Sequence, residues 1–365
     1  MEQLTRIAVK IGSNVLTRKD GTLDITQMSA LVDQIAKLHK SGVEVILISS
    51  GAVASGRSEI LPSKKLDSVD QRQLFSAIGQ VKLINRYYEL FREHHIKVGQ
   101  VLTIKECFST RRHYLNQKNC MTVMLENRVI PIVNENDTIS VSELMFTDND
   151  ELSGLIATMM QVQALIILSN VGGLYTGHPD SPEAEIIEEI PHGTDVSAYI
   201  LPSKSSAGRG GMKSKTNIAR KVADEGIKVI LSDGRKENIL IRILEKETSP
   251  AMHPHLKYTR FIPAEVPTSN IKRWIAHSEG FAKGELHINE ATQKALTADQ
   301  AASLLPIGIT AVTGNFEKDD IVRIVNDQGE LIGVGKANYS AQEAKELMGQ
   351  HGKKPVIHYD YLYIE

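Results

Sequence analysis

Apolar positions along the chain fall into two rhythms. The runs RIAVKI (6–11), VEVILISSG (43–51), KVGQVLTI (97–104), VIPIVNEND (129–137), ALIILSNVGG (164–173) and IKVILSDG (227–234) are short and rich in β-branched residues. VEVILISSG is apolar almost without interruption, the pattern of a parallel strand covered on both faces. Between these runs apolar residues return at helical spacing. Met28, Leu31, Val32, Ile35 and Leu38 mark one such stretch, and Ser41-Gly42 stops it. Further helices are expected over 70–93, 110–127, 150–162 and 211–225. This alternation predicts an α/β fold with an open, mainly parallel sheet sandwiched by helices. The rhythm breaks near 246–272, where KETSPAMHPH and FIPAEVPTSN are proline-rich and aperiodic. Beyond Arg273-Trp274, short β runs and turns predict a small, mostly-β domain that ends with a short helix over 340–349 and the strand PVIHYDYLYI. The expected organisation is a first domain over 1–255, a linker over 256–270, and a second domain with a C-terminal tail over 271–365.

Bulk properties narrow the class. A chain of 365 residues exceeds the usual single core, in keeping with two domains. The formal net charge of −2 provides no global field for nucleic acid or membrane. No apolar run approaches the roughly 18 residues of a membrane span. Cys107 and Cys120 are too far apart for a CxxC motif, and they suit a reducing compartment without a zinc site. The N-terminus runs directly into a strand with no signal-peptide core, so a cytoplasmic location is expected.

Ligands of open α/β sheets bind beyond the carboxyl ends of the strands. The strand ends here carry polar clusters. The first strand has Lys10, Gly12 and Ser13, and the second has Ser49, Ser50, Gly51 and Ala52. The strand near 130 ends in Asn134, Glu135, Asn136 and Asp137. Asp148, Asn149 and Asp150 precede a helix, and Ser169, Asn170, Gly172 and Gly173 follow the strand near 167. The loop GRGGMKSK contains Gly208, Gly210, Gly211, Lys213 and Lys215. Each cluster alone reads as a turn, a helix cap or a solvated loop. Together, at one edge of one sheet, they combine glycines that admit phosphate to the backbone, helix N-termini that favour anions, and lysines as point charges. That combination points to phosphoryl transfer. GAVASGRS (51–58) is one residue from a P-loop, but Arg57 stands where the lysine is required. A dinucleotide fingerprint is excluded, because KIGSN has a single glycine.

These motifs, taken in order, resemble the amino acid kinase family. VKIGS resembles its first-strand motif, SSGAVASG its serine–glycine motif, VNENDT its asparagine–aspartate loop and TDNDELS its D-N-D-x-L-S motif, while GLYT and GGMKSK match its nucleotide-side elements. The likeness covers 1–250, and the segment 271–353 resembles a PUA domain, a small β-barrel. That arrangement implies a kinase of free glutamate. It would move the γ-phosphoryl group of ATP, with Mg²⁺ held mainly by the phosphates, to the γ-carboxylate of L-glutamate. The resemblance also implies inhibition by proline, assembly as dimers or tetramers, and functional coupling to a glutamyl phosphate reductase. It assigns Lys10 and Lys215 to neutralising the transferring phosphoryl group and Asp150 to holding one or both lysines, with both side chains facing a solvent-filled cleft. Glutamate would be held by Ser50, Gly51, Ala52, Asn134, Asp137 and Asn149. ATP would be held by Lys10, Gly12, Ser13, Ser169, Asn170, Tyr175, Gly210, Gly211, Met212, Lys213, Ser214 and Lys215. One departure is Ser169-Asn170, where the family often has Thr-Asp; a carboxylate contact to the nucleotide is lost there. Two alternatives stand beside this reading. One is a sister kinase acting on another acidic substrate. The other is RNA binding through the second domain, which is disfavoured because 271–353 holds nine Lys and Arg against eleven Asp and Glu.

Overall fold

The computed structural model describes residues 4–109, 111–140, 146, 148–179, 181, 183–194, 196, 211–265, 275, 279–298 and 302–364. The chain divides into two compact units, Met1–Lys105 with Asn116–Pro267, and Glu106–Leu115 with Thr268–Glu365.

The first unit is built on an eight-stranded sheet. Its strands are β1 (Arg6–Ile11), β2 (Glu44–Ser49), β3 (Lys97–Thr103), β4 (Val129–Glu135), β5 (Ala164–Ser169), β6 (Glu189–Ile190), β7 (Lys228–Asp233) and β8 (Thr259–Phe261), in the order β3-β4-β2-β1-β5-β7-β8-β6. From β3 through β7 the neighbours are parallel. The near-continuous apolar runs explain this: Ile7, Ala8, Val9 and Ile11 of β1 and the whole of β5 except Ser169 are fully buried, as strands covered on both faces must be. β1 is flanked by β2 on one side and β5 on the other, so the strands that follow it are added first on one side and then on the other. Such a switch point opens a crevice at the strand carboxyl ends.

The helices of this unit include α1 (Ser13–Leu16), α2 (Ile25–Lys40), α3 (Ala52–Arg57), α4 (Ser68–Glu93), α6 (Arg111–Glu126), α7 (Asn149–Met160), α8 (Met212–Asp224) and α9 (Ile239–Thr248); α5 (Glu106–Ser109) and the start of α6 fall in the second unit. The carboxylates of Asp24 and Asp67 accept the first free N–H groups of α2 and α4. Gly51 has φ 107°, a left-handed conformation that a side chain would strain, and it turns β2 into α3.

α3 and α4 touch backbone to backbone. A Cβ at Gly79 would stand 1.8 Å from the Ala52 carbonyl oxygen, and one at Gly56 would stand 1.8 Å from that of Phe75. Neither obstacle is a flexible side chain. Gly79→Ala is therefore expected to cost more than about 1 kcal/mol of unfolding free energy, as overpacking does. Urea denaturation of the variant measures this, and an unchanged midpoint would show that the two helices separate freely.

The expected linker over 256–270 is corrected in part. β8 lies within it, is antiparallel to β7, and is tied in by the Leu174 N–H, which donates to Thr259 Oγ1 at 2.8 Å. The aperiodic sequence hid this strand because it is only three residues long.

The second unit contains β9 (Gly284–Ile288), β10 (Ile309–Gly314), β11 (Ile321–Asn326), β12 (Leu331–Lys336) and β13 (Leu362–Ile364), with α10 (Glu290–Leu296) and α11 (Ala341–Leu347). The barrel expected from sequence is, among the described residues, a five-stranded sheet in the order β10-β9-β11-β12-β13. Leu286, Ile288, Phe316, Val322 and Ile324 fill its core. Ser340 and Glu343 cap α11 reciprocally, which starts that helix where the periodicity does.

Candidate active site

The carboxyl ends of β1, β2 and β4 meet the N-termini of α7 and α8. Lys10 is the fifth residue of β1, so its side chain leaves the strand just before the crevice. Its Nζ donates to Asp150 Oδ1 at 2.5 Å, and Lys215 Nζ donates to Asp150 Oδ2 at 2.8 Å. One carboxylate thus bridges two ammonium groups. Asp150 is 1% exposed and Lys10 4% exposed. The expectation that both lysine side chains face a solvent-filled cleft is therefore corrected for Lys10, which is buried against its counterion. Burial alone would push the Asp150 carboxyl up; the two lysines outweigh it and hold the carboxyl below its ordinary value. The group is ionised at neutral pH and the cluster carries a net charge of +1.

Asp148 caps α7 by accepting the Asp150 and Glu151 N–H groups at 2.9 and 3.0 Å. The cap falls on Asp148, two residues before Asp150, which leaves Asp150 free for the lysines. The other oxygen of Asp148 accepts Ser214 Oγ at 2.5 Å. The first turns of α7 and α8 are therefore stitched at two points, and Lys215 is delivered to Asp150. Gly211 is the N-cap of α8 with no side-chain bond, so the first N–H groups of that helix remain available to an anion.

A second cluster lies at the end of β4. Asn149 Nδ2 donates to Ser50 Oγ at 2.9 Å, to Asn134 Oδ1 at 3.1 Å and to the Ser49 carbonyl at 3.3 Å. Asn134 Nδ2 donates to Gln80 Oε1 at 2.8 Å. Asp137, 6% exposed, accepts Arg72 Nε at 2.5 Å and Ser76 Oγ at 3.0 Å, while Arg72 also donates to Glu135 at 2.7 Å. Burial is the main reason the Glu135 carboxyl is pushed up, and the neighbouring Asp137 adds to it. With both carboxylates ionised, this cluster has a net charge of −1.

The structure thus brings Lys10, Asp150 and Lys215 together and joins Ser50, Asn134 and Asn149 in one hydrogen-bonded group. Gly12 is buried at the crevice edge, where its N–H donates to the Leu168 carbonyl at 3.0 Å, and Ser13 follows it as the first residue of α1. Gly51 and Ala52 form the turn into α3. Ser169 and exposed Asn170 end β5, beside β1, and Tyr175 forms a bridge with Ile186. Met212, exposed Lys213 and Ser214 open α8. Gly210 lies outside the described residues. Arg72, Ser76 and Gln80 of α4, which bond to Asn134, Glu135 and Asp137, were not singled out from the sequence.

The model of the amino acid kinase family matches residues 5–233, and that of the PUA domain matches residues 284–359. A glutamate 5-kinase of Bacteroides thetaiotaomicron is 70% identical over 364 residues, 100% of this chain and 99% of that one. The glutamate 5-kinase of Chlorobaculum tepidum is 48% identical, over 98% of this chain and 97% of that one. The glutamate 5-kinase of Maridesulfovibrio salexigens is 38% identical, over 96% and 90% respectively. The motifs, the switch-point site and these matches lead to one conclusion: the chain belongs to the amino acid kinase family, with a PUA domain after the kinase region.

Proposed function

We propose that this protein is a glutamate 5-kinase, which transfers the γ-phosphoryl group of ATP to the γ-carboxylate of L-glutamate and yields γ-glutamyl phosphate and ADP, the first step towards proline. The observation that carries this reading is the pair of oppositely charged clusters joined through Asn149. Asn149 is the chain neighbour of Asp150 in the positive cluster and is hydrogen-bonded to Asn134, the residue just before the Glu135–Asp137 pair of the negative one. An amino acid with its carboxylate at the phosphoryl group and its ammonium at a carboxylate matches that polarity. The names of the full-length relatives support the same reading.

The chemistry follows from the charges. A γ-carboxylate is ionised at neutral pH and needs no general base. Its oxygen forms the new bond to the γ-phosphorus as the bond to the β-phosphate oxygen breaks, and ADP leaves with that electron pair. Lys10 and Lys215 neutralise the charge spread over the equatorial oxygens, and Asp150 fixes both lysines before the substrate arrives. The N-terminus of α8, with Gly211, Met212, Lys213 and Ser214, supplies backbone donors and charge for the phosphates. Both oxygens of Asp150 are already engaged by lysines, so a Mg²⁺ ion would be carried by the nucleotide's own phosphates and would neutralise part of their charge. Proline inhibition, assembly into dimers or tetramers and coupling to a glutamyl phosphate reductase belong to the same proposal. No helix among the described residues is long and apolar enough to cross a membrane.

Substrate-dependent ADP release, measured across glutamate, N-acetylglutamate and aspartate with and without proline, tests the proposal. Glutamate is expected to support turnover that proline suppresses. A preference for N-acetylglutamate or aspartate would overturn it.

A further inference from the structure

Gln80 touches no residue of the lysine cluster, yet its place in the amide network is informative. It is one of three polar residues, Arg72, Ser76 and Gln80, spaced four apart on α4, and all three side chains bond to the segment 134–137. In the chain Gln80–Asn134–Asn149, backbone groups set the polarity of the two asparagine amides, and Gln80 answers the first of them with its oxygen. The Glu135 N–H donates to Asn134 Oδ1 at 3.0 Å, and a backbone N–H cannot accept. Asn134 must therefore turn its NH₂ towards Gln80, whose Oε1 accepts at 2.8 Å. At the other end, the Ser49 carbonyl can only accept, and Asn149 turns its NH₂ towards it and towards Asn134 Oδ1. Asn149 thus commits its nitrogen to Ser50, Ser49 and Asn134, while its Oδ1 takes none of these bonds.

We infer that Gln80 is a positioning residue of this relay: by accepting from the Asn134 NH₂ it holds Asn134 where its Oδ1 meets Asn149, so that Asn149 presents its carbonyl oxygen, an acceptor, to the ammonium group of the amino acid substrate. Remove the Gln80 acceptor and the buried Asn134 NH₂ has no partner; Asn134 is then held through its Oδ1 alone, and any shift towards another acceptor draws that oxygen away from the Asn149 NH₂. The close contact of Gly79 with the Ala52 carbonyl keeps α4 at a fixed distance from the turn that carries Gly51 and Ala52, so the relay has one geometry. This inference rests on the glutamate reading above.

The test compares Gln80→Met, which keeps length but removes the acceptor, with Gln80→Glu, which restores an acceptor only. The readouts are KM for glutamate, KM for ATP, kcat and Tm. Gln80→Met is expected to raise the glutamate KM about tenfold with the ATP KM within about twofold, the size of one lost hydrogen bond. Gln80→Glu is expected to bring the glutamate KM back to within about threefold of wild type, since the accepted bond returns. A role confined to stability would lower Tm and leave this split absent. Should Gln80→Met fail to fold, Gln80→Asn, which withdraws the acceptor by one methylene, carries the same comparison. An unchanged glutamate KM in the truncated variant, an equal rise in both KM values, or no recovery in Gln80→Glu would each overturn the relay alone. A wild-type enzyme that releases no ADP with glutamate would overturn both the relay and the glutamate reading.

Discussion

Lys215→Ala is expected to lower kcat by about 10²–10³, the loss seen when one preorganised donor to a developing charge is removed. Asp150 binds two ammonium groups at once. A carboxylate with a single cation leaves a neutral pair; with two it leaves one unit of positive charge, fixed in a buried position where it is poorly screened. Removing Lys215 cancels that unit and leaves Lys10 and Asp150 neutral together. The donated bond from Lys215 is lost from a helix that Ser214 and Asp148 still hold, so the fold is expected to persist. Lys10→Ala removes the same charge and is expected to slow turnover to the same degree. Each substitution takes a lysine from one oxygen of Asp150, but Lys10→Ala is the less clean experiment, because Lys10 lies inside the sheet and its loss also opens space in a buried strand. Steady-state kcat beside a thermal melt separates the two effects. Near-normal turnover in folded Lys215→Ala would remove that lysine from the mechanism.

Lys10, Asp150 and Lys215 were legible in the sequence because each stands at a local signal: a strand end before glycine, a helix start after an aspartate cap, a glycine-rich loop before a helix. The parallel sheet was legible for a similar reason, since runs such as ALIIL are apolar at every position, the pattern of a strand buried on both faces. What escaped was set by tertiary contact. β8 has three residues and a proline-rich setting, and its pairing with β7 depends on partners distant in the chain. Arg72 and Gln80 sit inside a helix, where polar residues ordinarily mark the solvent face. A signal did exist. Ser76, Gly79, Gln80, Leu83, Tyr87 and Phe91 form the buried stripe of α4, so the polar residues lie in line with its apolar ones. Polar side chains that continue a buried stripe need buried partners, and the strand-end motif NEND supplied them.

Asp137→Asn is expected to raise the KM for glutamate by roughly 10- to 100-fold, in line with about 1.5–3 kcal/mol for a hydrogen bond to a charged group. Glutamate and N-acetylglutamate share the reacting carboxylate and differ at the α-nitrogen, an ammonium in one and a neutral amide in the other. An ammonium taken from water needs an anion or several acceptors. The structure sharpens this argument, because Asp137 already accepts from Arg72 and Ser76. A lone ion pair with Arg72 would be neutral and would have nothing left to offer a cation. Glu135 alters that balance: Arg72 serves both carboxylates, and their surplus negative charge is what an incoming ammonium would neutralise. Asp137→Asn keeps the size and most of the hydrogen bonds but leaves Arg72 and Glu135 balanced without a substrate. The KM for ATP is expected to move little, since the groups proposed for the nucleotide belong to the lysine cluster. If Asp137 serves only to anchor α4 through Arg72, the substitution would lower Tm and leave the glutamate KM where it was. That outcome, or an equal rise in both KM values, would remove Asp137 from substrate recognition.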